Sequence, residues 1–139
     1  MPVAQLRVSE AAALLGVSDD TVRRWSDAGR ITLTKNERGR LVVDGAELAA
    51  LAQELATESQ LAAAFPSHQG SARNRLTGIV TRVTKDGVMA QVEMQAGPFR
   101  VVSLMSREAA DELGLEPGSL AAASIKATNV AIDLVAPSQ

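Results

Sequence analysis

Apolar residues recur at helical spacing as far as Leu55 and shift towards alternation from Leu76, so the pattern divides the chain into a helical half and a strand-rich half. From Val8 a short helix is expected, with Ser9 as its N-cap, Glu10 in the first turn, Ala12, Leu14 and Leu15 on the apolar face, and Gly16 as its stop. Ser18 is expected to cap a second helix, with Asp19 and Asp20 at its positive end. Val17, Val22 and Trp25 would bury against Leu14 and Leu15, leaving Thr21, Arg23 and Arg24 on other faces. Residues 31–34 and 40–43 alternate like strands and are joined by Lys35-Asn36-Glu37-Arg38-Gly39, which reads as a two-stranded wing. Helical spacing returns from Asp44 or Gly45 through Glu47, Leu48, Leu51 and Leu55.

Between residues 57 and 70 the apolar period fades, and Pro66 and Gly70 punctuate the stretch. Beyond it, strands are expected at 79–83, 88–92 and 99–102, with Lys85-Asp86-Gly87 as a hairpin turn between the first two. Ser106 would cap a short helix ending at Gly114, and two last strands at 120–125 and 129–134 would complete a small antiparallel barrel. The fold class expected is α+β: a winged helix-turn-helix over residues 1–57, a linker over 58–70, an OB-like barrel with one short helix over 71–135, and a tail over 136–139.

Composition narrows the chemistry. Of 139 residues, 46% are hydrophobic, but with two Phe, one Trp and no Tyr the cores must be aliphatic. There is no Cys and the single His is His68, so neither a disulfide framework nor a Cys/His zinc site can be assembled. No constellation of acid, base, nucleophile or metal ligands emerges, and a non-enzymatic role is expected. The first residues lack a basic start followed by an apolar run, and no apolar stretch is long enough to span a bilayer, which points to a cytoplasmic protein with no membrane partner. The net charge of −2 conceals a local field: Arg23, Arg24, Arg30, Lys35, Arg38 and Arg40 stand against only Asp27 and Glu37 in one window.

The motifs Ser9-Glu10-Ala11-Ala12, Gly16-Val17-Ser18, Thr21-Val22-Arg23-Arg24-Trp25 and Gly29, with Arg38-Gly39-Arg40 at the wing, resemble the winged helix-turn-helix domains of the excisionase and mercury-resistance-regulator group. That resemblance implies double-stranded DNA as a partner. Thr21, Arg23 and Arg24 would lie on the recognition helix, while Arg38 and Arg40 would reach phosphates or a minor groove from the wing. Trp25 is expected in the core and not as a stacking platform.

A second set of motifs carries more. Ser71-Ala72-Arg73-Asn74-Arg75-Leu76-Thr77-Gly78, then Asp111-Glu112-Leu113-Gly114-Leu115-Glu116-Pro117-Gly118 and Ile125-Lys126-Ala127-Thr128, resemble the molybdopterin-binding-protein-like (Mop, or TOBE) domains. The resemblance implies molybdate, or tungstate in its place, as a bound oxyanion. It implies a site between subunits, with Ser71, Ala72 and Arg73 of one copy facing Ser106, Lys126 and Ala127 of another and Thr128 as a further donor. Homo-oligomers, as dimers or trimers of dimers, follow from it. Ala109 departs from the pattern where some relatives carry a hydroxyl.

Elementary chemistry agrees, because a tetrahedral dianion with four acceptor oxygens needs donors from several directions together with positive charge. Taken singly, Ser71, Arg73 or Lys126 is an ordinary solvated residue at a strand end, and Asn74 serves as well to satisfy backbone groups. Jointly they favour anion binding, and the two resemblances together imply a molybdate-sensing transcriptional regulator in which oxyanion binding between barrels modulates DNA binding. The alternatives are a molybdate or tungstate storage protein with a helical assembly module, and a constitutive DNA binder whose barrel only oligomerises.

Overall fold

The computed structural model describes residues 4–66 and 70–136, a mixed α+β chain. The chain folds as two compact units, one comprising Met1–Pro66 with Asp133–Gln139 and the other Ser67–Ile132. Part of the expected linker, including His68, and residues 137–139 of the expected tail lie outside the described residues.

The first unit runs β1 (Gln5–Arg7), α1 (Val8–Leu15), α2 (Asp19–Asp27), β2 (Thr34–Lys35), β3 (Leu41–Asp44) and α3 (Gly45–Thr57). Its sheet has the order β1-β3-β2, antiparallel throughout. β1 has no counterpart in the sequence pattern, since three residues are too few to show alternation; it forms because β3 offers a partner edge. The wing strands lie later than expected, at 34–35 and 41–44, and the first of them is shorter. α1 starts two residues earlier than its expected cap Ser9 allows: Arg7 occupies the N-cap position and Ser9 lies inside the helix. Glu10 takes over the capping, its Oε1 accepting the Arg7 backbone N–H at 2.9 Å.

Val8, Ala11, Ala12, Val22, Ile31, Val43, Leu48 and Leu51 form one buried cluster, with Leu15, Val17, Trp25 and Leu55 packed against it. Leu14, expected on the apolar face, is 67% exposed instead. At 100° per residue it sits beside Leu15 but off the stripe made by Val8, Ala11, Ala12 and Leu15. Past α3, the expected linker contains one further short helix, α4 (Gln60–Ala64), capped by the Ser59 hydroxyl.

The second unit runs β4 (Asn74–Lys85), β5 (Met89–Ala96), β6 (Phe99–Ser106), α5 (Arg107–Leu113) and β7 (Leu120–Ile125), followed by a 3-10 turn over Ala127–Asn129. The sheet order is β6-β5-β4-β7, all antiparallel. β4 and β5 approach closely at Gly78, where an added Cβ would collide with the Gln95 carbonyl and come within 2.9 Å of the Ala96 backbone. Just beyond lies the register shift between Val80 and Arg82, which bends β4. Val80, Ala90, Val92, Met94, Ala96 and Ala110 are the buried apolar residues. Glu93, buried with them, is ion-paired with Arg100 and lies 4.0 Å from Arg82.

The fifth barrel strand expected at residues 129–134 is absent among the described residues. A 3-10 turn and irregular chain replace it. Ile132, Leu134 and Val135 keep an apolar character but are 85, 92 and 89% exposed. β6 and β7 therefore remain unpaired edges among the described residues. Residues of both edges, among them Val101, Met105, Ala123 and Ile125, line one apolar groove of about 310 Å³, so the sheet is curled into a half-barrel.

Candidate functional sites

In the first unit, local hydrogen bonds hold the recognition elements in place. Gly16 closes α1 in the left-handed conformation, φ 69°, and donates to the Ala12 and Ala13 carbonyls, which turns the chain towards α2. Ser18 then caps α2 through the Thr21 N–H at 3.2 Å. Thr21 Oγ1 also accepts from Arg24 Nη2 at 3.0 Å, so two of the expected contact residues steady one another. Arg23 and Arg24 are exposed and Val22 beside them is fully buried, as an amphipathic helix requires. Trp25 is half-buried against the core, with the Arg30 guanidinium 5.8 Å from its ring centroid.

The wing depends on a residue to which sequence reasoning gave no role. Asn36 Oδ1 accepts the backbone N–H of Arg38 at 2.9 Å and of Arg40 at 3.0 Å. Its own N–H donates to the Arg40 carbonyl at 2.9 Å, and Gly39 completes the turn at φ 74°. The signal for it is an Asn at the start of a glycine-containing turn, where such side chains bind the backbone two residues on. Arg38 and Arg40 are exposed on this braced loop.

In the second unit the expected donors fall into two groups. Asn74 and Ile125 are register partners of β4 and β7, and Asn74 Nδ2 donates to the Ile125 carbonyl at 3.2 Å. Residues 71–73 lead into that pair and residues 126–128 leave it, so both motifs stand at the same end of one sheet in one chain. Ser71, Arg73, Lys126, Ala127 and Thr128 are exposed and Ala72 is half-buried. Arg73 Nη1 donates to the Gly70 carbonyl at 3.3 Å, and the Lys126 carbonyl accepts from Asn129 N at 2.9 Å in the 3-10 turn. The expected division puts the lysine loop on the opposite copy, whereas register, which sequence separation conceals, sets the two motifs side by side within one.

Ser106 lies elsewhere. It pairs with Met89, next to the partners Lys85 and Ala90, at the far end of the 12-residue β4 from Asn74. At about 3.3 Å per residue the strand contour between the two ends is about 36 Å. Ser106 Oγ caps α5 by accepting from Ala109 N at 3.1 Å, and Arg107, Glu108, Asp111 and Glu112 surround it. Lys85 Nζ binds Asp111 Oδ1 at 2.5 Å and holds that carboxyl below its usual range. Asp86 is held low too, by the Met89 and Val88 backbone N–H groups that its carboxylate accepts in the hairpin turn. Within one copy, then, the cationic donors and the Ser106 hydroxyl do not meet.

Comparison with known proteins follows this division. A family model described as the TOBE domain matches residues 70–132, and one described as a helix-turn-helix domain matches residues 6–56. Molybdenum-pterin-binding protein 3 of Clostridium pasteurianum is 41% identical over 63 residues, which are 45% of this chain and 93% of that protein. The chain belongs to the molybdenum-pterin-binding protein family through its barrel, and carries a helix-turn-helix domain ahead of it. Among solved structures, a molybdate binding protein from Sporomusa ovata aligns with 48% of this chain and 100% of its own, at 28% identity and a TM-score of 0.47. MopII from Clostridium pasteurianum covers the same shares at 36% identity and a TM-score of 0.45. The matched families are binding modules. Among the described residues, no helix is long and apolar enough to cross a membrane, and no group of three or more His, Cys, Asp or Glu is placed to hold a metal ion.

Proposed function

We propose that this protein is a molybdate-sensing, DNA-binding transcriptional regulator whose oxyanion site is completed between copies of the barrel. The observation that carries the reading is the Asn74–Ile125 pairing, with residues 71–73 and 126–128 on its outer side and Ser106 at the other end of β4. Arg73 and Lys126 supply positive charge, Ser71 and Thr128 hydroxyls, and Ala72 and Ala127 backbone N–H groups. Ser106 of a second copy closes the set. Removing water from a dianion is costly, so donors held in advance on two rigid sheets are what such a site needs. The molybdenum-pterin-binding relative, which shares this barrel, supports molybdenum chemistry at the site.

Assembly is supported by the unfinished barrel. The groove between β6 and β7 is lined by apolar side chains, and Val130, Ile132 and Leu134 form a strand-like apolar series that is exposed. Insertion of that series into the groove of another copy would pair both open edges and unite the two halves of the oxyanion site. Ion binding alters DNA affinity only to the extent that it favours one arrangement of the assembly over another.

The test is DNA binding measured with and without molybdate, tungstate and sulfate. A shift produced by molybdate or tungstate and not by sulfate supports the sensor; identical curves remove it and leave a DNA binder with a separate oxyanion store. For the DNA interface, the double variant Arg23→Ala, Arg24→Ala should lose at least about tenfold in affinity for the DNA upstream of its own gene, at about 1–3 kcal/mol per specific contact. Undiminished binding would refute the assignment of α2.

A further inference from the structure

The first unit carries a cationic recess that involves an element outside the expected recognition helix and wing. A cavity of about 260 Å³ is lined by Arg7, Ser9, Asp19, Arg23 and Arg40, together with Val8 and Leu41. Its three arginines come from three places: Arg7 from the end of β1, Arg23 from the middle of α2, and Arg40 from the wing immediately before β3. Asp19 is the carboxylate in the lining, and Glu10 is ion-paired with Arg7 at 3.4 Å. Arg7 and Arg40 also line the adjoining open cleft of about 560 Å³, with Lys35 and Arg38 beside Glu10 and Glu37. Positive groups from α2, the β1–α1 junction and the wing thus line two adjoining recesses, with Asp19, Glu10 and Glu37 among them.

Arg7 is a costly choice for its position. It occupies the N-cap of α1, where Ser, Thr, Asp or Asn would supply a hydrogen-bond acceptor, and where a cation opposes the positive end of the helix. Ser18, Ser59 and Ser106 fill the corresponding position in α2, α4 and α5. At Arg7 the backbone N–H donates to Glu10 at 2.9 Å, whereas the guanidinium reaches the same oxygen at 3.4 Å. The shorter of the two bonds would survive in any residue that keeps a backbone N–H there. A local rule broken at a helix start is expected where a side chain serves a ligand.

We propose that Arg7, with Arg23 and Arg40, holds one phosphodiester of the DNA backbone at the β1–α1 junction, fixing the register of the recognition helix between groove and wing. This inference rests on the DNA-binding reading above. Three guanidiniums stand against Asp19 in the lining and Glu10, which is ion-paired with Arg7, so the recess keeps a net positive charge suited to a monoanionic diester, and guanidinium donors match phosphate oxygens in geometry. Contacts of this kind position a protein on the duplex and carry no sequence information.

The experiment uses the full chain, its Arg7→Gln and Arg7→Lys variants, and two duplexes, one from upstream of its own gene and one unrelated. Arg7→Gln keeps the backbone cap and loses the ion pair with Glu10, so its thermal unfolding is measured alongside and binding is compared at a temperature where both proteins are folded. Its affinity should fall severalfold on both duplexes alike. The slope of log affinity against log salt should lose about 0.9, the counterion release of one phosphate contact. Arg7→Lys should restore most of that slope whether or not the glutamine variant is stable. A parent that binds neither duplex defeats the DNA-binding reading and this proposal together. A parent that binds, with both variants matching it in affinity and slope, overturns the proposal alone. Loss confined to one duplex would also overturn it, since that marks a base contact.

Discussion

The two units solve the same problem, that of a small domain with little core, in opposite ways. The helix-turn-helix unit closes around Val22, Val43, Leu48 and Leu51 and brings Arg7, Arg23, Lys35, Arg38 and Arg40 to two adjoining recesses of one chain. The barrel unit leaves β6 and β7 unpaired, Leu104 at 69% exposure and Ile132 at 85%, and its expected oxyanion donors at two ends of a sheet. The first is organised to meet a partner as it stands. The second leaves sheet edges, apolar surface and donor groups open within one copy, among the described residues.

The comparison breaks most sharply at the exposed apolar series. Ile132→Lys with Leu134→Lys should turn the assembly into monomers, read by sedimentation or light scattering, and abolish oxyanion binding in calorimetry. Monomers that still bind molybdate with the parental affinity would show the barrel to be complete alone. The next largest effect falls on the other unit. Leu51→Ala should cost about 2–5 kcal/mol of its stability, the usual penalty for truncating a buried leucine. Denaturant unfolding followed by Trp25 fluorescence would report it, while the assembly of the barrel persists.

Lys126→Ala should weaken molybdate binding by about tenfold to a hundredfold, in line with about 1.5–3 kcal/mol for a charged hydrogen bond, without altering the oligomer. A change in oligomeric state instead would make Lys126 an assembly residue. The smallest effect concerns the hairpin turn at Asp86. Because the folded barrel lowers the Asp86 and Asp111 carboxyls below 3.8, the stability they contribute is present above that pH and fades as pH falls through the lowered values. Asp86→Asn keeps the acceptor oxygen and removes the titrating charge, so an acid titration by circular dichroism should become shallower below about pH 4.

How far the sequence can be read follows the range of the interactions involved. Ser18, Gly16, Gly114 and Ser106 act on neighbours a few residues away, and their caps stand where expected. The α1 cap escapes that reading because Arg7 does not belong to the usual cap residues, and its acceptor is supplied by Glu10 instead. Residues 129–134 have the apolar spacing of a strand and lack a partner to make them one, since a strand exists only with its ladder. Asn74 can be read as a residue that satisfies backbone groups, but its acceptor, Ile125, is 51 positions away.

The chain by itself determined the change of period near residue 76, the aliphatic character of both cores, the helix boundaries set by serine and glycine, and the residue types able to hold a dianion or a phosphate. These follow from interactions within a few residues and from composition. Tertiary structure alone decided that Arg73 stands beside the Lys126 loop, that Ser106 lies at the other end of β4, that Arg7 joins Arg23 and Arg40, and that the barrel stays open. Each of those depends on strand register or on the packing of distant elements, which is settled by the whole set of long-range interactions and leaves no periodic trace in the sequence.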